Sequence, residues 1–270
     1  MDYRFSLGKL EGMLVSTNAK SFVLHSLVRE FLISFDDSIK LEEFFESALE
    51  QDERVEVIMK IITAFNFGIN AKTVNCALLS KIYNKITGKT ALFDNSSVDL
   101  LLKQQDKVKA IYDVYNYFFS LENVVICEQF ARLCVVLLLV KFNILSLPII
   151  DFSFANRKYG SIKNYEDFLL VLKLASESTF TLLQTARKVI KQDKKLIDEI
   201  HVKSVYAIYD YALNNLVIDI GGTAKQLDYT FVTVNKALRH LISSKILIKQ
   251  SGNMRYRTYI YKNLIDVFEI

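Results

Sequence analysis

The sequence predicts a predominantly α-helical fold: a helical body followed by a small α/β domain. Three observations carry this expectation. Apolar residues recur at helical spacing through the first two thirds of the chain. One proline and no tryptophan occur in 270 residues, and the few glycines sit near plausible element ends. From His201 onward the pattern changes to short helical and alternating segments, with nine Lys/Arg against five Asp/Glu, where the preceding 200 residues balance at 25 against 25. An apolar content of 51 % supplies material for a substantial core. The expected domains are residues 1–200 and 201–270.

Periodicity gives the elements of the body in order. A first helical region covers residues 13–34, an acidic connection holds Asp36 and Asp37, and a short helix covers residues 41–50. Residues 54–67 and 72–87 repeat apolar side chains at helical spacing and stop at Gly68 and Gly88. A polar turn over residues 91–97 precedes one long helix, residues 98–120, whose Tyr112, Tyr115, Tyr117, Phe118 and Phe119 form too wide a group for a narrow stripe and are expected in the core. Residues 127–142 are the most apolar part and are expected to be buried on several sides. Asn143 and Pro148 end that helix. Two further helices cover residues 165–176 and 179–200, the second with a mixed charged face (Lys188, Lys191, Asp193, Lys194, Lys195) expected in solvent.

In the tail, residues 202–214 predict a helix, 216–220 a short strand, and 223–227 a compact helix after Gly221-Gly222. Asp228 and Tyr229 make a turn before a helix over residues 230–243, where Val234, Ala237, Leu238 and Leu241 share one side. Residues 246–249 and 257–261 read as strands joined around Gly252-Asn253. Helix, helix, recognition helix and hairpin are the parts of a winged helix. In such a unit the second helix of the pair enters the major groove from its N-terminal end while the wing touches backbone or minor groove. Thr230, Thr233 and Asn235 are the candidates for phosphates or base edges, and Lys236, Arg239, Arg255 and Arg257 for electrostatic attraction. The implied partner is double-stranded DNA. Winged helices also contact proteins or form homodimers, which is the alternative.

Other chemistry finds little support. Cys76, Cys127 and Cys134 are odd in number and irregularly spaced, which fits small core residues in a reducing, cytoplasmic setting. His25, His201 and His240 are scattered, so no metal or cofactor is expected. Gly221-Gly222-Thr223 lacks the pattern of a phosphate loop and is expected to permit a turn and cap a helix. Glu42, Glu43 and Glu46 read as a solvated acidic patch. Residues 1–12 lack the features of a secretory signal. The most apolar stretch, residues 133–150, is interrupted by Lys141, Asn143 and Pro148, short of the about 20 residues that a membrane span requires, so no membrane partner is expected.

Residue order also resembles the Fic family with a C-terminal winged helix. The tail carries it most clearly, from Thr230-Phe231-Val232-Thr233-Val234-Asn235-Lys236-Ala237-Leu238-Arg239-His240-Leu241 to Lys245-Ile246-Leu247 and Tyr259-Ile260-Tyr261-Lys262. Leu7-Gly8-Lys9-Leu10-Glu11-Gly12 resembles the opening helix, and Asn66-Phe67-Gly68 the end of a later one. Residues 109–117 resemble the helix leading into the catalytic loop, while Phe130-Ala131-Arg132-Leu133 and Asn143-Ile144-Leu145-Ser146-Leu147-Pro148 resemble the helix beyond it and its exit.

The family's loop reads histidine-proline-phenylalanine, two variable positions, glycine-asparagine-glycine-arginine, two variable positions and arginine. Aligned on Arg132, this chain places Leu121 at the proton-accepting histidine and Val125 at the metal carboxylate. Ile126 and Glu128 stand where small residues expose backbone donors to phosphate, and Gln129 replaces the first arginine. Leu121, Val125, Glu128 and Arg132 are thus the remnant of that loop. Residues 91–107 are short for the target-binding flap, and residues 34–38 offer Asp36 and Asp37 where an inhibitory glutamate would be sought. The resemblance implies a Fic-like scaffold without adenylyl transfer, a pseudoenzyme placing a DNA-binding domain for transcription control. A protein-interaction scaffold comes second and an adenylyltransferase last.

Overall fold

The computed structural model describes residues 2–16, 19–35, 40–50, 53–90, 93–121, 126–250 and 257–269. In chain order they form α1 (Tyr3–Ser16), a 3₁₀ turn (Ala19–Phe22), α2 (Val23–Phe35), α3 (Leu41–Glu50), α4 (Glu53–Asn70), α5 (Cys76–Thr87), α6 (Asn95–Leu102), α7 (Lys107–Phe119), α8 (Cys127–Lys141), α9 (Phe152–Tyr159) and α10 (Tyr165–Asp198). Then follow α11 (Lys203–Asn215), β1 (Val217–Asp219), α12 (Ile220–Leu227), α13 (Phe231–Ser243), β2 (Ile248–Lys249), β3 (Thr258–Ile260) and α14 (Lys262–Glu269). A mostly helical body is thus followed by a region with a small antiparallel sheet.

Two compact units result, one of Met1–Ser38 with Asp52–Thr181, the other of Ile39–Gln51 with Leu182–Ile270. The change of composition at His201 therefore does not coincide with the change of packing, which falls within α10 and gives α3 to the C-terminal unit.

The first unit is built around α8, which packs against α2, α4, α7 and α9. Its side chains from Leu133 to Leu139 are at most 1 % exposed. A helix apolar on every side has no face to offer water, so it takes the middle of the unit. Close packing shows at Gly68 of α4, where an added Cβ would stand 2.6 Å from Ile82 Cδ1 and 3.1 Å from Leu137 Cδ1. The aromatic group of α7 enters the core in part: Phe118 meets Phe93 (4.8 Å) and Phe130 (5.0 Å) edge-on and Tyr115 is buried, Tyr112, 5.4 Å from Phe168, and Tyr117 are half-buried, and Phe119 at the helix end is exposed. Among the described residues, no helix is long and apolar enough to cross a membrane.

Several element boundaries differ from those the sequence predicts. Residues 98–120 form two helices, because the Asp106 carboxylate accepts from the N–H groups of Val108 and Lys109 at 3.0 Å each and starts α7 afresh. The two helices expected over residues 165–176 and 179–200 are one, the 34-residue α10 (Tyr165–Asp198). At the expected break the hydroxyls turn back on their own helix, Ser176 donating to Leu172 O and Thr179 to Ala175 O, both at 2.7 Å. Residues 13–34 divide between α1 and α2. Asp36 and Asp37 lie outside the described residues.

In the second unit, the strands pair in the order β1-β3-β2, all antiparallel, with Val217 opposite Ile260 and Ile248 opposite the same residue. The acidic patch of α3 is not simply solvated. Lys262 Nζ of α14 meets Glu42 Oε2 at 2.5 Å, and Phe44 and Phe45 beside it are buried. Nor is every charge of α10 in solvent: Asp193 is 5 % exposed and accepts from the buried Tyr261 hydroxyl, which lies 3.1 Å from the Tyr209 hydroxyl. Gly221 and Gly222 lie inside the first turn of α12, where their expected role as a turn gives way to another. Asp219 caps that helix, its Oδ1 accepting from Gly222 N at 2.7 Å, and a Cβ at Gly222 would come within 2.6 Å of the same carboxylate.

Candidate functional site

The polar and basic residues singled out in the tail gather on α13 and the strands after it. Asp228 takes a left-handed conformation (φ 53°) and ends α12; Tyr229 N–H donates to Ala224 O at 3.0 Å, tightening the turn. Thr230 then caps α13, its Oγ1 accepting from Thr233 N at 3.2 Å while the two hydroxyls lie 2.9 Å apart. Thr230 and Thr233 therefore engage each other before any ligand.

Val234, Ala237, Leu238 and Leu241 are buried, and this fixes the rotation of α13. Residues three and four apart share a side, so the opposite arc carries Val232, Lys236, Arg239 and His240, all exposed, with Asn235 half-buried at its margin; Phe231, three residues before Val234, stands on the side of the stripe but is exposed in the first turn of the helix. Lys249 in β2 and Arg257 just before β3 are exposed as well. No Asp or Glu occurs from Thr230 to Lys249, whereas Lys236, Arg239, Lys245 and Lys249 do. Arg255 lies outside the described residues, as do Gly252 and Asn253.

Phe231 and Val232 escape the search for charged and hydrogen-bonding groups. Each is 65 % exposed in the first turn after the capping threonine, and spacing does not mark them, since Phe231 stands three residues before the buried Val234.

The second candidate stretch lies in the first unit. Leu121, half-buried, follows the last turn of α7, where its N–H donates to Phe118 O at 3.3 Å. Val125 lies outside the described residues. Ile126 precedes α8 in a left-handed conformation (φ 58°, ψ 29°), one that a β-branched side chain rarely adopts. Glu128 and Arg132 form an ion pair along α8, and Asn156 lies against the guanidinium, its amide oxygen accepting from both Nε and Nη2 at 3.2 Å once the amide is turned to face these donors. Burial pushes the nearby Tyr115 hydroxyl up to about 12, against the opposing pull of Arg132.

Beside Arg132 lies a buried polar network that the sequence reading passes over. Both oxygens of Glu30 in α2 accept from Ser153 N at 3.0 Å, and Oε1 also accepts from Ser153 Oγ at 2.6 Å; that hydroxyl also meets Ser34 Oγ. Arg29 Nε donates to Asp151 Oδ1 at 3.0 Å, Ser178 donates to Asp151 Oδ2 at 3.3 Å, and Asp151 N donates to Thr179 Oγ1 at 2.8 Å. Desolvation raises the Glu30 carboxyl to about 7, opposed by the two Ser153 bonds and by Arg132. Its donors come from the protein itself, so the network ties α2 to α9 and α10 rather than presenting groups to a ligand. The signal was an adjacent Arg29-Glu30 pair inside an otherwise apolar helix. Among the described residues, no group of His, Cys, Asp and Glu has the arrangement of a metal site.

Comparison of the chain with models of known protein families, and with curated proteins, gives no match.

Proposed function

We propose that the C-terminal residues 201–270 act as a winged helix-turn-helix domain that binds double-stranded DNA through the exposed arc of α13. The helical body then serves as a docking or sensing module in transcription control, on a Fic-like scaffold that transfers no adenylate. One observation carries the DNA reading: Lys236 and Arg239 on the exposed arc, with Lys249 and Arg257 exposed on and beside the strands, in a stretch from Thr230 to Lys249 that lacks any acid. An α-helix fits the major groove of B-DNA, and cations around it lower the free energy of the complex by releasing counterions from phosphate. The order helix, strand, helix, helix, hairpin agrees with this reading.

The loss of transferase chemistry is supported by composition and bonding together. Leu121 has no group to accept a proton. Arg132, the residue in register with a phosphate-binding arginine, is held by Glu128 and Asn156. Glu128 would set a negative charge against an incoming anion.

Exposed Phe231 and Val232 favour a second reading, a protein contact or homodimer made through the same helix. Selection of genomic DNA fragments by the purified full chain at near-physiological salt separates the two. The DNA reading expects one sequence to be enriched, with enrichment lost in a folded Lys236→Glu/Arg239→Glu variant and a salt dependence shallower by about one unit per phosphate contact removed. Absence of enrichment, together with self-association that the same variant leaves intact, would transfer the function to protein contact.

A further inference from the structure

We infer that Phe231 and Val232 read thymine methyl groups, so that the DNA bound through α13 is specified by A·T pairs under the first turn of that helix. The inference rests on the DNA-binding reading above and deepens it. Both side chains are 65 % exposed while the apolar stripe of the same helix is buried, so most of their surface lies outside the core that positions α13. They follow the capping Thr230 directly, and the N-terminal turns of a recognition helix are the part that meets base edges. In the major groove the exposed apolar group is the C5-methyl of thymine; G·C pairs offer only donors and acceptors there.

The polar groups at this end agree. The Thr230 oxygen is already the acceptor for Thr233 N, and the two hydroxyls face each other, which leaves this turn poor in groups for reading guanine or cytosine. One turn on from Phe231 stands Asn235, whose amide matches the N6 and N7 of adenine, the partner of thymine. Phe231 is also steadied from the neighbouring helix: its Cε1 lies 3.9 Å from the place a Cβ would take on Gly221, so the ring rests beside the start of α12. Lys236 and Arg239 on the arc of Val232, with no acid among them, select a polyanion over an uncharged apolar partner for this surface.

The test uses the full chain and a randomised DNA duplex pool made twice, once with thymine and once with uracil, which lacks only the methyl. The inference expects tighter binding to the thymine pool, by about fourfold for each methyl contact, and selected sequences with thymine at fixed positions. Phe231→Ala/Val232→Ala should lower affinity for the thymine pool to that for the uracil pool and leave the latter unchanged. Equal binding of both pools by the unaltered chain, or an equal effect of the double variant on both, would sink the methyl reading while DNA binding stands. Failure to bind either pool would remove DNA binding and this inference together.

Discussion

At the scale of the residue, Glu30 is a buried carboxyl with no opposite charge bonded to it. Its carboxyl is 2 % exposed and bonded by Ser153, while the neighbouring Asp151 takes the guanidinium of Arg29. Hydrogen bonds from one serine do not replace the hydration of a carboxylate, so burial raises the group from 4.5 to about 7. Folding thus favours the protonated form. The contribution is fully present below about 4.5 and is lost as pH rises to about 7, amounting to roughly 3 kcal/mol over that window. Glu30→Gln, which keeps an acceptor for Ser153 and cannot ionise, should unfold at a higher temperature than the unaltered chain at pH 8. Near pH 4.5 the two should converge. Thermal unfolding across that pH range measures the difference directly, and parallel curves for the two proteins would show that Glu30 does not carry this dependence.

At the scale of the element, helix starts were legible where a side chain states them and obscure where tertiary context decides. Thr230 before an apolar run announces α13, and the structure places its cap at that residue. Thr230→Ala should therefore cost about 1 kcal/mol, with Thr230→Ser close to neutral, as read from urea midpoints. Equal losses in both variants would mean that the methyl and not the oxygen matters. Asp106 is the same kind of cap, but it lies inside a pattern apolar enough to read as one helix over residues 98–120. In α10 the difference runs the other way, since the break expected between residues 176 and 179 is helix, where the hydroxyls of Ser176, Ser178 and Thr179 bond within the helix or to Asp151. The buried stripe of α13 follows from spacing alone. Its exposed apolar pair, like the network around Glu30, depends on which faces the rest of the fold covers, and spacing carries no information on that.

At the scale of the whole molecule, the C-terminal unit is drawn from two separate stretches of chain. Asp193 of α10 receives the Tyr261 hydroxyl, and α3 sets Glu42 against Lys262 while burying Phe44 and Phe45. A fragment of residues 201–270 keeps the candidate DNA face yet loses these partners, leaving Tyr261 and the apolar side of α14 uncovered. Such a fragment should bind a hydrophobic dye and exchange its amide hydrogens much faster than the same residues in the full chain. Protection equal to that of the full chain would show that residues 201–270 suffice. The place of α3 also has a consequence in time. Ribosomes deliver about 5–20 residues per second, so α3 emerges some 10–40 seconds ahead of α14, about 200 residues later. Through that interval Leu41, Phe44 and Phe45 have no α14 to cover them, and the newborn chain carries this apolar segment without that cover until α14 is made.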